Sequence, residues 1–232
     1  MKSVTDFDLH ANSYDRELGE ALAVFGEDRE YFARGRVRQL AECLRQKGMV
    51  PRHLMDFGCG TGATAPILLE TLGAESAIGL DTSRRSLDVA RQHYGSERIH
   101  FSPVHEHEPT GSLDLAYCNG VFHHIPSTDR AAALRLVRDS LRPGGIFSFW
   151  ENNPWNPGTR YMMAHCAFDE DAETITPSRA RELLCTAGFV VLRTDFAFVF
   201  PRIFSIFRPI EKLACRLPIG AQYQVLCQKP LG

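Results

Sequence analysis

The sequence predicts an α/β fold, a mainly parallel sheet with helices on both faces. Three observations carry that prediction: short apolar runs alternate with helical stretches, a glycine-rich turn closes the first run, and an acid closes the second. Apolar runs suited to buried parallel strands lie at 53–57, 77–80, 99–101, 113–119 and 146–150. Helical periodicity fills 63–72, 84–94 and 128–141. Strand, helix and strand at this rhythm build right-handed βαβ crossovers. One crossover is thin, because 102–112 contains Pro103, Pro109 and Gly111 without a helical period, and it reads as a loop.

Upstream, residues 6–48 are amphipathic, with Leu18, Leu22, Phe25, Tyr31, Phe32, Val37, Leu40 and Leu44 spaced for buried helical faces. They form a helical N-terminal cover, closed by Gly48 before Pro51 restarts the chain. Beyond Trp150 the rhythm changes. Pro154, Pro157 and Gly158 mark a turn-rich segment, and 177–187 reads as a helix closed by Gly188. Two last strands are expected at 189–200 and 223–228, with an apolar and basic insertion at 201–220 between them.

A chain of 232 residues suits one sizeable core. A net charge of −2 gives no reason to expect a nucleic-acid partner. The seven cysteines are widely spaced and form no C-x-x-C pair, so neither a disulfide framework nor a zinc site is expected. A reducing cytosol fits that usage. Charges near the start leave no room for the apolar stretch of a signal peptide, and no run reaches transmembrane length.

The chemistry begins at Leu54-Met55-Asp56-Phe57-Gly58-Cys59-Gly60-Thr61-Gly62. Glycines at a strand-to-helix turn let the backbone fold sharply and let a ligand approach, although such turns also serve packing alone. Asp81 ends the second strand about 20 residues on, where a carboxylate can accept both hydroxyls of a ribose. It can also cap the next helix together with Thr82 or Ser83. Loop and acid together argue for an adenosine-containing ligand.

The G-x-G-x-G spacing differs from the G-x-G-x-x-G of dinucleotide folds and resembles motif I of class I S-adenosylmethionine-dependent methyltransferases. The segment Leu113-Asp114-Leu115-Ala116-Tyr117-Cys118-Asn119-Gly120-Val121-Phe122-His123-His124-Ile125-Pro126 is similar to the fourth-strand motif of the small-molecule enzymes of that family. These are the bacterial methyltransferases of the quinone-biosynthesis and natural-product type. Leu141-Arg142-Pro143-Gly144-Gly145-Ile146-Phe147 resembles their turn before the fifth strand, and Phe7-Asp8, Ala11 and Tyr14-Asp15 resemble their N-terminal segment.

The resemblance implies a seven-stranded sheet whose last strand is antiparallel, in a single methyltransferase domain over 1–232. Within it, 1–50 is the helical cover, 51–150 the cofactor-binding half, and 151–232 the substrate-side half. It implies S-adenosylmethionine as cofactor and S-adenosylhomocysteine as product. Gly58, Gly60 and Gly62 would meet the methionine moiety, Asp56 would sit near its amine, Asp81 would hold the ribose with Thr82 a further cofactor contact, and Asn119 and Gly120 would lie by the methyl group. Tyr14 would be a lid contact. Where such families carry an Asp after the third strand, this chain has His105 and Glu106, which either receive the adenine or are solvated charges. The alternating His-Glu-His-Glu string on a proline-flanked loop converges poorly on a metal, so none is expected.

His123 and His124 are candidate general bases, with packing or substrate hydrogen bonding as the other reading. Glu151, Asn152, Trp155, Arg160 and Tyr161 follow the fifth strand, where loops line the ligand crevice, and are candidate substrate contacts. Turn formation by Asn and Pro competes with that reading. The stretch 196–216 is expected to form a helical hairpin packed over the active-site end; contact with a membrane surface or a dimer partner are its other readings. The expected activity is methylation of a small-molecule acceptor, apolar or linked to a glycan or lipid, at oxygen before nitrogen or carbon. A methyltransferase acting on RNA or protein and a non-catalytic adenosine-binding subunit are the competing functions, and the oligomeric state is monomer or homodimer.

Overall fold

The computed structural model describes residues 27–164, 173–200 and 202–231. Tyr14 and most of the expected N-terminal cover lie outside the described residues. Helix α1 (Arg29–Gln46) opens on Asp28, whose carboxylate accepts the Tyr31 N–H at 2.7 Å and satisfies one of the unpaired amides of the first turn. Its buried positions, Ala33, Arg36, Val37, Leu40, Cys43 and Leu44, recur at intervals of three and four and form one face.

Seven strands follow: β1 (His53–Phe57), β2 (Ser76–Asp81), β3 (Ile99–Pro103), β4 (Leu113–Asn119), β5 (Leu141–Asn152), β6 (Val190–Ala197) and β7 (Gln222–Gln228). Helices α2 (Thr64–Leu72), α3 (Arg84–Tyr94) and α4 (Arg130–Ser140) make the crossovers, and α5 (Pro157–Ala164) and α6 (Pro177–Thr186) follow β5. The sheet order is β3-β2-β1-β4-β5-β7-β6, with β7 antiparallel to both of its neighbours. A mainly parallel seven-stranded sheet with a reversed last strand is therefore what the chain forms.

Both faces of the sheet are covered, which is why the strands read as nearly continuous apolar runs. Along β1, Leu54 joins a core made with Val37, Leu40 and Leu44 of α1, Leu68 of α2 and Leu87 of α3. Its neighbour Met55 points the other way, into a core shared with Leu134 and Val137 of α4 and Ala180 and Leu184 of α6. The same alternation sends Asp56 to the first face and Phe57 to the second.

Three expectations need correction. The turn-rich segment after β5 contains a helix, because Pro157 occupies its first position, where a missing N–H costs nothing. The 102–112 loop holds one 3₁₀ turn, Val104–Glu106. The insertion is no packed hairpin: a 3₁₀ run at Arg202–Ile210 with Pro209 inside leads into a single turn, α7 (Glu211–Ala214), and its large apolar side chains face outward.

Candidate active site

The carboxyl ends of β1, β2, β4 and β5 open into a cavity of about 1400 Å³, walled on the far side by α1, α5 and Phe198–Phe200. Parallel sheets gather loops at this end, so the residues that follow each strand converge here.

The turn after β1 is held by β2. The N–H groups of Gly58 and Cys59 donate to the Leu80 carbonyl at 2.7 and 3.0 Å. Asp81 accepts the Gly60 N–H at 2.8 Å on one carboxylate oxygen and the Ser83 N–H at 2.9 Å on the other. The glycines divide the work. Gly60, at φ +54°, has nothing within 4 Å of where a Cβ would project, and it presents bare backbone to the cavity. Gly62, at φ +84°, would place a Cβ 2.8 Å from Ala90 and from the Phe101 ring. It is a packing glycine against α3 and β3 and not a wall residue, contrary to the expectation of a cofactor contact.

Asp56 lies buried at the floor of the cavity, and its Oδ2 has no hydrogen-bond partner among the described residues. Burial first, then the charge of Asp81, push its carboxyl up to about 7, against the opposing pull of Arg36. Asn119, at the end of β4, likewise leaves its buried Oδ1 without a partner among the described residues. Unpaired buried acceptors are costly and mark where a donor belongs. An amino-acid ammonium answers Asp56, and the carboxylate of Asp81 with the open backbone at Gly60 suits a ribose and its flanking chain. The residues present thus fit an adenosyl amino acid such as S-adenosylmethionine.

After β4 the chain turns through Gly120, at φ +65°, and brings His123 and His124 to the cavity wall, ring centroids 4.0 Å apart. Nδ1 of His123 lies 2.5 Å from Oε2 of Glu151, whose other oxygen accepts the Phe122 N–H at 2.8 Å. Both side chains are buried, and Glu151 is only 1% exposed. A carboxylate so placed keeps the imidazole proton on Nδ1 and leaves Nε2 as the basic nitrogen. Glu151, expected to touch substrate, is spent on its neighbours and lies behind the wall.

Asn152 does line the cavity, one residue further along β5, while Trp155, Arg160 and Tyr161 are exposed outside it. The Asn-Pro-Trp-Asn stretch is a bolt: Asn153 donates to the carbonyls of Pro218 and Gly220, and Asn156 donates to that of Ile219. Thr82 and Ser83 line the wall near Asp81. His105 and Glu106 are exposed, face Arg84 and leave Val104 as the lining residue, so the solvated reading suits them better than an adenine contact.

A polar chain that the sequence reading missed crosses the opposite wall. Arg36, buried on α1, donates to the Tyr117 hydroxyl at 3.0 Å and to Gln222 at 2.8 Å. Gln222 in turn donates to Asn152 at 3.1 Å. Burial pushes the Tyr117 hydroxyl up to about 12, so it is a neutral partner there. The one available signal was Arg36 itself, a charge on the apolar stripe of α1.

Residues 55–147 match the family model described as a methyltransferase domain. Trans-aconitate 2-methyltransferase from Rhodopseudomonas palustris (strain BisB5) is 28% identical over 136 residues, 58% of this chain and 52% of that protein. The enzyme of the same name from Acidovorax ebreus (strain TPSY) is 32% identical over 118 residues, 50% of this chain and 45% of that one. The chain thus spans about half the length of the curated relatives it matches. Among solved structures, a SAM-dependent methyltransferase from Thermotoga maritima superimposes with a TM-score of 0.65 at 18% identity, covering 96% of this chain and 97% of that one. One from Mesorhizobium loti gives 0.58 at 22% identity, over 82% and 98%. The glycine turn with Asp81 lies within the span that matches the methyltransferase domain, and the chain shares the fold of those solved S-adenosylmethionine-dependent methyltransferases.

Proposed function

We propose that this chain methylates an oxygen of a small-molecule acceptor bound in the same cavity as the cofactor, with His123 receiving the acceptor's proton. The observation that carries this reading is the buried Glu151–His123 pair at the wall just past Asn119 and Gly120. S-adenosylmethionine, when bound, supplies an electrophilic methyl group on a sulfonium. Asp56 would hold its amine, Asp81 its ribose, and the Gly58–Thr61 backbone its methionyl chain.

The protein's own task is then alignment and proton removal. Nε2 of His123, with Nδ1 held by Glu151, would accept a proton from a hydroxyl, and the tilted ring of His124 lies beside it. The chain of Arg36, Gln222 and Asn152 gives the acceptor a polar wall to orient against. A concave site of this size suits a small molecule, and the relatives' name, with trans-aconitate as the compound acted on, points the same way. We propose the cytosol as its compartment, since the described cysteines are free thiols.

The test is incubation of the purified chain and a metabolite extract with cofactor carrying a ¹³C-methyl group. A methoxy resonance from a methylated hydroxyl is the expected product signal, and a methyl ester, formed on a carboxylate with no proton to give, would remove His123 as the base. An N-methyl or C-methyl resonance would overturn the oxygen assignment. Calorimetry showing NAD binding and no S-adenosylhomocysteine binding would overturn the whole reading.

A further inference from the structure

We infer that Arg130 is a positioning residue for methyl transfer. From the start of α4 it sets the loop that carries His123, and with it the imidazole proposed above as the base. The side chain is buried, only 4% exposed, and its guanidinium is spread over backbone carbonyls. Nε donates to the Phe122 carbonyl at 3.0 Å and to the Ile125 carbonyl at 2.9 Å. Nη2 pairs with the Glu173 carboxylate at 2.9 Å and donates to the Glu173 carbonyl at 3.4 Å.

These contacts close around His123. The residue before it gives its N–H to Glu151 and its carbonyl to Arg130. The His123 carbonyl accepts the Glu173 N–H at 3.1 Å. The Glu173 segment is moored in turn by β7, where the Tyr223 hydroxyl donates to the Ile175 carbonyl at 2.7 Å. Glu151 fixes the His123 ring, and Arg130 fixes the backbone from which that ring projects. A reacting group misplaced by about 1 Å loses on the order of a hundredfold in rate, so what holds this loop governs the proton transfer.

Local structure does not account for an arginine here. Residue 130 opens α4, where the helix dipole favours an acid and opposes a cation. The loop supplies the reason: a planar fork meets several carbonyls at once, which an ammonium on a flexible stem does not. The charge of Arg130 also reaches the buried pair. Burial first, then Glu151, push the Tyr223 hydroxyl up, and Arg130 pulls it down, so both charges act on one buried neighbourhood.

The inference rests on His123 as the base, and nitrogen NMR of the full chain with labelled histidine, loaded with S-adenosylhomocysteine, separates the two. In the wild type the His123 proton is expected on Nδ1. Arg130→Ala should mix the two tautomers and slow methyl incorporation into the metabolite extract about tenfold to a hundredfold. Its calorimetric affinity for S-adenosylhomocysteine should stay within about twofold of wild type. Added guanidinium ion should restore part of both the tautomer and the rate. Arg130→Lys, which keeps the charge and loses the fork, is read in the same way where the alanine variant does not fold. An unchanged His123 tautomer or an unchanged rate in the folded variant overturns the inference. Full rate in His123→Ala overturns the base assignment instead, and the tautomer alone then decides whether Arg130 sets the ring.

Discussion

His123 Nδ1 and Glu151 Oε2 stand 2.5 Å apart in a buried pocket behind the cavity wall, joining the loop after β4 to the end of β5. In the proposed reaction this pair sets the tautomer of the imidazole that receives the acceptor's proton. Glu151→Gln keeps the volume and removes the charge. Its turnover should fall about tenfold to a hundredfold, while calorimetric affinity for S-adenosylhomocysteine stays within about twofold. His123→Ala should fall at least as far. If Glu151→Gln turns over at the wild-type rate across pH, the pair is structural only.

Asp81, proposed to hold the ribose, also fixes the Gly60 and Ser83 amides of the turn. Asp81→Ala removes a charged acceptor from both and should weaken S-adenosylhomocysteine binding by at least about tenfold. Calorimetry is the direct measurement. Unchanged affinity would move the ribose elsewhere.

The glycines of the turn should separate stability from binding. Gly62→Ala forces a Cβ at positive φ onto Ala90 and Phe101 and should cost about 2 kcal/mol or more of unfolding free energy. Gly60→Ala meets no neighbour and should cost about 1 kcal/mol, yet it should reduce cofactor affinity more than Gly62→Ala does. Urea unfolding and calorimetry on the two variants check this, and the reverse ranking would refute the division.

Asp56 predicts a pH signature. Its carboxyl is raised to about 7 in the folded protein from an ordinary value of 3.8. Between those values the folded state holds more protons than the unfolded chain, so this group's contribution to stability falls as pH rises and levels off above about 7. Asp56→Asn should therefore gain stability relative to wild type as pH increases from about 4 to about 7. A ligand ammonium would favour the ionised carboxylate, so S-adenosylhomocysteine binding near neutral pH should release protons. Calorimetry in buffers of different ionisation enthalpy reads that number directly, and zero release would detach Asp56 from the cofactor's amine.

The sheet was legible because buried parallel strands leave unbroken apolar runs; the sequence reading reaches the observed bounds of β1 and β4. The glycine turn and Asp81 were legible because backbone geometry restricts which residues fit there. Long-range pairing was not. Nothing local distinguishes Glu151, which turns behind the wall, from Asn152, which lines it, since strand alternation gives opposite faces without saying which one is hollow. Arg36 stayed hidden because its partners, Tyr117 and Gln222, are 81 and 186 residues away in sequence. The insertion misled for a different reason: an apolar, helix-like pattern normally signals burial, and here it faces solvent.

The placement of β7 between β5 and β6 has a consequence for biogenesis. A ribosome releases β5 and then β6 before either has its shared neighbour, so the growing chain displays the β5 edge, with Phe147 and Phe149 beside it, as a template for foreign strands. Gln222–Gln228 closes both edges in one event, and Gln224 joins Ser148 at 2.8 Å as it does so. A nascent polypeptide halted before Gln222 therefore leaves the β5 edge and β6 without the strand that joins them.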